Sequence, residues 1–132
     1  MPVQSCNLQL DQGTSITFPI VWVAGGVGVN PTGTTPSAIF RQVSSDTPLL
    51  SLGSGLGLLG GIVYQAPITN YSFFDPVSDS VIVTTIYPVS VTITVAGMAL
   101  LLFPHMRWTM KLAWPDGAIL AIVTGDVEVD AV

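Results

Sequence analysis

What this chain most lacks is charge. Only 8% of its 132 residues are Asp, Glu, Lys or Arg, against about 25% in an ordinary soluble domain. Basic residues are the scarcest: Arg41, Arg107 and Lys111 stand against 8 acidic residues, for a net charge of −5. A nucleic-acid binder needs a basic stripe to displace counterions from phosphates. These cations cannot form one, so nucleic acid is excluded as the main partner. Cys6 is the single cysteine, which excludes an intrachain disulfide and a Cys-based zinc site. His105 is the single histidine, so no mechanism can use a His pair. The length suits one domain over residues 1–132, with 1–9 as an extended N-terminal arm. With 49% hydrophobic residues, two explanations of the low charge remain: insertion into a membrane, or large-scale assembly.

The chain does hold three long stretches without formal charge, Gln12 to Phe40, Thr47 to Phe74 and Ser80 to Met106. A spanning helix needs about 20 apolar residues, but the content of these stretches opposes helix. The first carries Pro19, Gly25, Gly26, Gly28, Pro31, Gly33 and Pro36; the second, Pro48, Pro67 and the glycines from Gly53 to Gly61; the third, Pro88 and Pro104 amid Val, Ile and Thr. Gly and Pro break helices, and β-branched residues favour strands. No basic flank sets an orientation, and the N-terminus lacks a signal-peptide pattern. No membrane insertion is expected.

The dominant period is two. Ile16, Phe18, Ile20 and Trp22 face one way and Ser15, Thr17 and Pro19 the other, a half-buried strand in which Pro19 marks an edge or a bulge. Ser37 to Val43, Ile62 to Ala66, Ser80 to Ile86 and Val89 to Val95 read as further strands. Asn70 to Asp79 reads as a loop, and Ala96 to Phe103 as the one helical segment. Trp108, Met110, Leu112 and Trp114 alternate with Thr109 and Lys111. Trp114-Pro115-Asp116-Gly117 then turns the chain: Pro presets φ, Asp caps, and Gly accepts a positive φ. On the return strand, Ala118 to Val129, Asp126, Glu128 and Asp130 alternate with Val127 and Val129. Its first half, Ile119 to Val123, is apolar on both faces, which implies cover on both sides, by its own fold or by another molecule. Short strands with regular turns and one helical turn predict an all-β, immunoglobulin-like antiparallel β-sandwich.

Two segments, taken together, carry a resemblance. Leu10-Asp11-Gln12-Gly13-Thr14-Ser15-Ile16-Thr17-Phe18-Pro19-Ile20-Val21-Trp22 opens the domain. Arg107-Trp108-Thr109-Met110-Lys111-Leu112, Asp116-Gly117 and Gly125-Asp126-Val127-Glu128-Val129 close it as a hairpin. This layout resembles the small β-sandwich domains of tailed-bacteriophage fibre collars and baseplate adaptors. Where that family usually has Gly-Tyr before the closing hairpin, this chain has Met106-Arg107-Trp108. The resemblance covers both ends and leaves residues 24–80 unmatched. It implies a non-enzymatic virion protein, assembled in the host cytoplasm, acting as a homo-oligomeric ring at the tail tip. Its partners would be other virion proteins: tail tube, baseplate or fibre, or, for a capsid decoration or head-fibre protein, the capsid.

The chemistry-bearing residues support no catalytic constellation. Asp126, Glu128 and Asp130 could offer oxygens to calcium, but on a terminal strand they read as solvated charge that discourages edge pairing. His105 lacks a nucleophile and an orienting partner nearby in sequence. Cys6 has no neighbouring cation to activate its thiol. Gly25-Gly26-x-Gly28 and Gly53-x-Gly55-x-Gly57 lack the helix and Lys-Ser/Thr of a phosphate loop. No cofactor and no metal are expected. Trp22, Trp108, Trp114, Tyr71 and Tyr87 suggest a rival function, a carbohydrate-binding module stacking host glycans. Trp22 and Trp108 fall on apolar strand faces, leaving Trp114 as the exposed one.

Candidate contact residues come from the apolar loops. Leu49, Leu50, Leu52, Leu56, Leu58, Leu59 and Ile62 cluster among glycines, Phe73 and Phe74 follow, and Leu120 and Ile122 lie on the doubly apolar strand. Exposed apolar surface marks contact sites. Residues 49–62 and the outer face of Ile119 to Val123 are therefore expected to be covered only in an assembly.

Overall fold

Alternating apolar residues sort the strands into two sheets with their apolar faces together. The computed structural model describes residues 4–24 and 27–130. In chain order the elements are β1 (Gln4–Ser5), β2 (Leu8–Asp11), β3 (Ile16–Ile20), β4 (Val23–Ala24), β5 (Val27–Gly28), β6 (Thr35–Gln42) and β7 (Pro48–Leu52). Then come β8 (Gly60–Tyr64), β9 (Ile68–Asp75), β10 (Ser80–Ile86), β11 (Val89–Ile93), the single turn α1 (Val95–Met98), β12 (His105–Ala113) and β13 (Ile119–Asp130). The larger sheet has six strands in the order β1-β13-β12-β6-β7, with β2 also on β13; the smaller runs β3-β11-β8. The fold is the expected all-β sandwich. Two pairings are not antiparallel: β1 and β2 both run parallel to β13. The N-terminal segment from Gln4 onward is thus the edge of the large sheet. Among the described residues no helix is long and apolar enough to cross a membrane.

The core lies between the sheets. The large sheet supplies Phe40, Leu50, Met106, Trp108, Met110 and Val127, and the small one Ile20, Ile62, Val91 and Ile93. Thr94 caps α1, its hydroxyl accepting from the Gly97 amide at 3.1 Å, and the turn buries Met98 and Leu101 against one end of the core. Trp108 is fully buried at the centre. Its ring stacks on Phe40 at 5.6 Å and meets Phe18 of the opposite sheet edge-on at 5.6 Å. Its indole N–H donates to the Cys6 carbonyl at 2.8 Å. That bond needs the chain between β1 and β2 to pass directly over Gly125, where a Cβ would lie 1.8 Å from the Cys6 oxygen.

The closing hairpin forms as its sequence dictates. Gly117 donates to the Trp114 carbonyl at 3.0 Å and Trp114 to that of Ala118 at 2.8 Å, with Gly117 at φ +93°. This is the turn-plus-glycine loop of a tight hairpin. Pro19 sits on β3, an edge strand, as its missing N–H requires.

Three expectations are corrected. Asn70 to Asp79 is not a loop: most of it is strand, the end of β9 and the turn into β10. β9 is exposed along most of its length, so no burial imposes alternation on it. Second, Ile119 to Val123 does not alternate between two apolar faces. Met110 pairs with Val123 and Lys111 with Ala121, leaving Ile122 as the extra residue of a β-bulge. The bulge buries the consecutive Ile122 and Val123 together, while Ile119 is 68% exposed. Third, residues 49–62 divide. Leu50, Leu52 and Ile62 are core, and Leu56 and Leu58 are exposed.

Gly125→Ala is expected to push Cys6 off the sheet and release residues 4–11. Hydrogen exchange should then lose protection at the Cys6 and Gln12 amides, which bond to the Thr124 and Asp130 carbonyls. Trp108→Ala is expected to cost about 3–5 kcal/mol in urea unfolding, the usual penalty for emptying a buried aromatic site.

Candidate functional site

The sandwich carries its charge and its exposed apolar surface in different places. On β12 the even-numbered residues from Met106 to Leu112 are buried, so Arg107, Thr109 and Lys111 face outward. On β6 the outward set is Ser37, Ile39 and Arg41, paired in register with Lys111, Thr109 and Arg107. All three Lys and Arg residues of the chain therefore stand on the outer face of the large sheet. Arg107 lies 3.5 Å from Asp126 on β13, an exposed pair of the kind that contributes only about 0–1 kcal/mol. Arg41 donates to the Ser45 carbonyl at 3.3 Å. Between Arg41 and Lys111 opens a cleft of about 290 Å³, lined also by Ile39, Asp46, Pro48 and Thr109. The outer face of the small sheet is uncharged; Thr17 and Thr92 share a hydroxyl hydrogen bond of 2.9 Å across it.

The β9–β10 hairpin stands apart from both sheets. Its base is tied to the short β4–β5 ribbon, where the Gly28 amide donates to the Thr84 hydroxyl at 3.2 Å. Beyond that anchor the strands pair mainly with each other. A bulge near Asn70, at φ +54°, adjusts the register. Phe74 pairs with Val81, and Ser72 with Val83, and all four are exposed. Phe73 and Ile82 pair on the other face, half-buried, with Tyr71 6.5 Å from Phe73. Val77 at the tip is 93% exposed. At the base, a groove of about 580 Å³ runs past Pro19, Val21, Ile68, Tyr71 and Pro88.

The expected contact residues are thereby sorted. Phe74, Leu56 and Leu58 are exposed, and Leu49, Leu59, Phe73 and Leu120 are half-buried. Leu50, Leu52 and Ile122 belong to the core and are withdrawn as contact residues. The exposed Ile68, Tyr71, Val77, Val81 and Val83 were hidden in the sequence because the arm is apolar on both faces and has no period. The signal that could have found them is the Phe73-Phe74 pair facing Ser80 to Ile86 across a short Asp-Pro-Val-Ser-Asp turn.

The other candidates are placed as follows. Asp126, Glu128 and Asp130 project outward along β13, and His105 is exposed opposite Glu128. Among the described residues no three His, Cys, Asp or Glu side chains gather as metal ligands would. Gly25 and Gly26 lie outside the described residues. The Gly53–Gly57 loop spends its polar groups on the β8 edge: Ile62 donates to the Gly53 carbonyl and Gly55 to that of Ile62, both at 2.9 Å. Those groups are not aimed at a ligand. Trp22 and Trp108 are buried. Trp114, expected outside, is half-buried edge-on against Trp22 at 6.1 Å, so no tryptophan platform exists for a sugar.

No known family model matches the sequence, and no curated protein matches it.

Burial shifts the titration of Cys6 and of Tyr64. Partial burial pushes the Cys6 thiol up. Burial also raises Tyr64, against a smaller downward pull from its 2.6 Å hydrogen bond with Thr34. In both, the fold holds the proton more tightly than the unfolded chain does. Stability is therefore full below the unfolded values and falls as pH climbs through them toward the raised folded ones. Urea midpoints are expected to stay level across neutral pH and drop on the alkaline side, above about pH 9. Alkylation of Cys6 at pH 8 should be slower in the native chain than in the urea-unfolded one.

Proposed function

We propose that this chain is a non-enzymatic structural subunit of a tailed-bacteriophage virion, a collar protein at the tail tip that assembles with copies of itself into a ring. In that ring it would dock fibre, baseplate or tail-tube proteins. The observation that carries the assembly reading is the β9–β10 arm. Two strands alone are marginal in water, and this pair exposes Phe74, Val77, Val81 and Val83 along with a free strand edge. Natural proteins blunt such edges or cover them; contiguous exposed apolar surface of this kind marks a contact site. The arm's short anchor and exposed faces suit an element completed by another subunit. The tail placement rests on the resemblance of the two chain ends to collar and adaptor domains, and a capsid decoration role would use the same surface on another lattice.

The assembly reading also supplies a reason for the low charge, in a narrower form than the composition suggested. Much of the solvent-facing surface is hydroxyl-bearing rather than charged, as on the outer face of the small sheet. The apolar excess is concentrated on the arm and on the end of the sandwich where Leu58, Val95 and Leu102 are exposed.

Mass photometry of the purified chain is expected to show one discrete multimer, and imaging of the intact particle to place the chain in a ring at the tail. A monomer at every concentration that binds glycans on an array would overturn this reading in favour of a carbohydrate-binding module.

A further inference from the structure

Resting on the assembly reading, we propose that the tip of the β9–β10 arm of one copy seats in the Arg41–Lys111 cleft on the large sheet of the next. The proposal follows from where the two signs of charge lie. The arm carries Asp75 and Asp79 and no cation. Every Lys and Arg of the chain is on the outer face of the large sheet. An ion pair between an arm and a Lys or Arg of another copy can therefore end only on that face. Arg107 is already engaged by Asp126, which leaves the cleft between Arg41 and Lys111, where Asp46 offsets one of the two positive charges.

The apolar parts match as well. The tip presents Val77, 93% exposed, between the two carboxylates. The cleft offers Ile39 and Pro48 between its cations. Asp75 is occupied in shaping the turn: it accepts from the Val77 amide and the Ser78 hydroxyl, both at 3.0 Å. Asp79 makes neither of these bonds and is the carboxylate left to meet Lys111 or Arg41. A strand rises about 3.3 Å per residue, so the strands carry the tip roughly 13 Å beyond the Thr84 anchor. The arm leaves from beside the small sheet, whereas the cleft opens on the far face of the large one. Contact between such different patches is heterologous, and repetition of a heterologous contact closes a ring or extends a filament.

The test is mass photometry of the full chain and its variants, with thermal melting as the check on folding. Val77→Asp is the leading variant, because a side chain this exposed contributes little to the isolated fold. It is expected to melt as wild type and to lose the multimer. Lys111→Asp and Asp79→Asn should each reduce the assembled fraction at least tenfold; Asn tolerates the +52° φ found at Asp79. Glu128→Lys, on the acidic edge of the same sheet face, should leave it unchanged. If wild type assembles and the Val77→Asp and Lys111→Asp variants assemble equally well, the docking is overturned while the assembly reading stands. If Glu128→Lys disperses the multimer and Val77→Asp does not, the copies meet sheet face to sheet face instead. A wild-type chain that stays monomeric overturns both readings.

Discussion

The bond from the Trp108 indole to the Cys6 carbonyl, 2.8 Å long, ties together parts of the chain that nothing local would join. A buried indole N–H without an acceptor would cost about 1–3 kcal/mol, so the largest core side chain needs a backbone carbonyl brought to it. The N-terminal segment supplies that carbonyl by crossing Gly125, and the crossing holds β1 and β2 in parallel pairing along β13. The same ring stacks on Phe40 in its own sheet and meets Phe18 in the other. Such aromatic pairs add about 0.5–1.5 kcal/mol each beyond burial. One side chain thus joins the two sheets and fastens the N-terminal strands along β13.

That arrangement matters for what the molecule can present. β1 and β2 pair on β13 and so become an edge of the large sheet themselves, while the Gly53–Gly57 loop covers the β8 edge of the small one. β3 carries Pro19, which cannot donate to a partner strand. The arm is different. It is anchored at its base through Gly28 and Thr84 and exposes apolar side chains and strand edge together. That combination supports reading the arm as the working part.

Legibility in the sequence followed burial. Where one face of a strand is buried and the other wet, alternation records it: Ile16 to Trp22 and Trp108 to Leu112 could be assigned to faces by residue number. The Trp114-Pro115-Asp116-Gly117 turn was equally legible, because Pro and Gly constrain φ directly. Where that contrast fails, the pattern is silent or misleading. The arm is exposed on most of both faces, so Asn70 to Asp79 carries no period and reads as a loop. Ile119 to Val123 suggested a covered outer face, when the extra residue of a bulge had turned two neighbours inward. Leu50 and Leu58 look alike in a Leu-Gly run, yet one is core and the other 82% exposed.

The sequence by itself determined the class of fold, the turn that closes it, the tryptophans of the core and the poverty of charge, since each depends on residue type and spacing along a short stretch of chain. Only the tertiary structure decided which apolar residues stay outside, that Arg41, Arg107 and Lys111 share one sheet face, and that the N-terminal strands lie parallel to the last one. Those are matters of register and pairing between residues up to 119 positions apart. Local periodicity cannot encode them, because a shift of one residue in register moves every side chain to the opposite face.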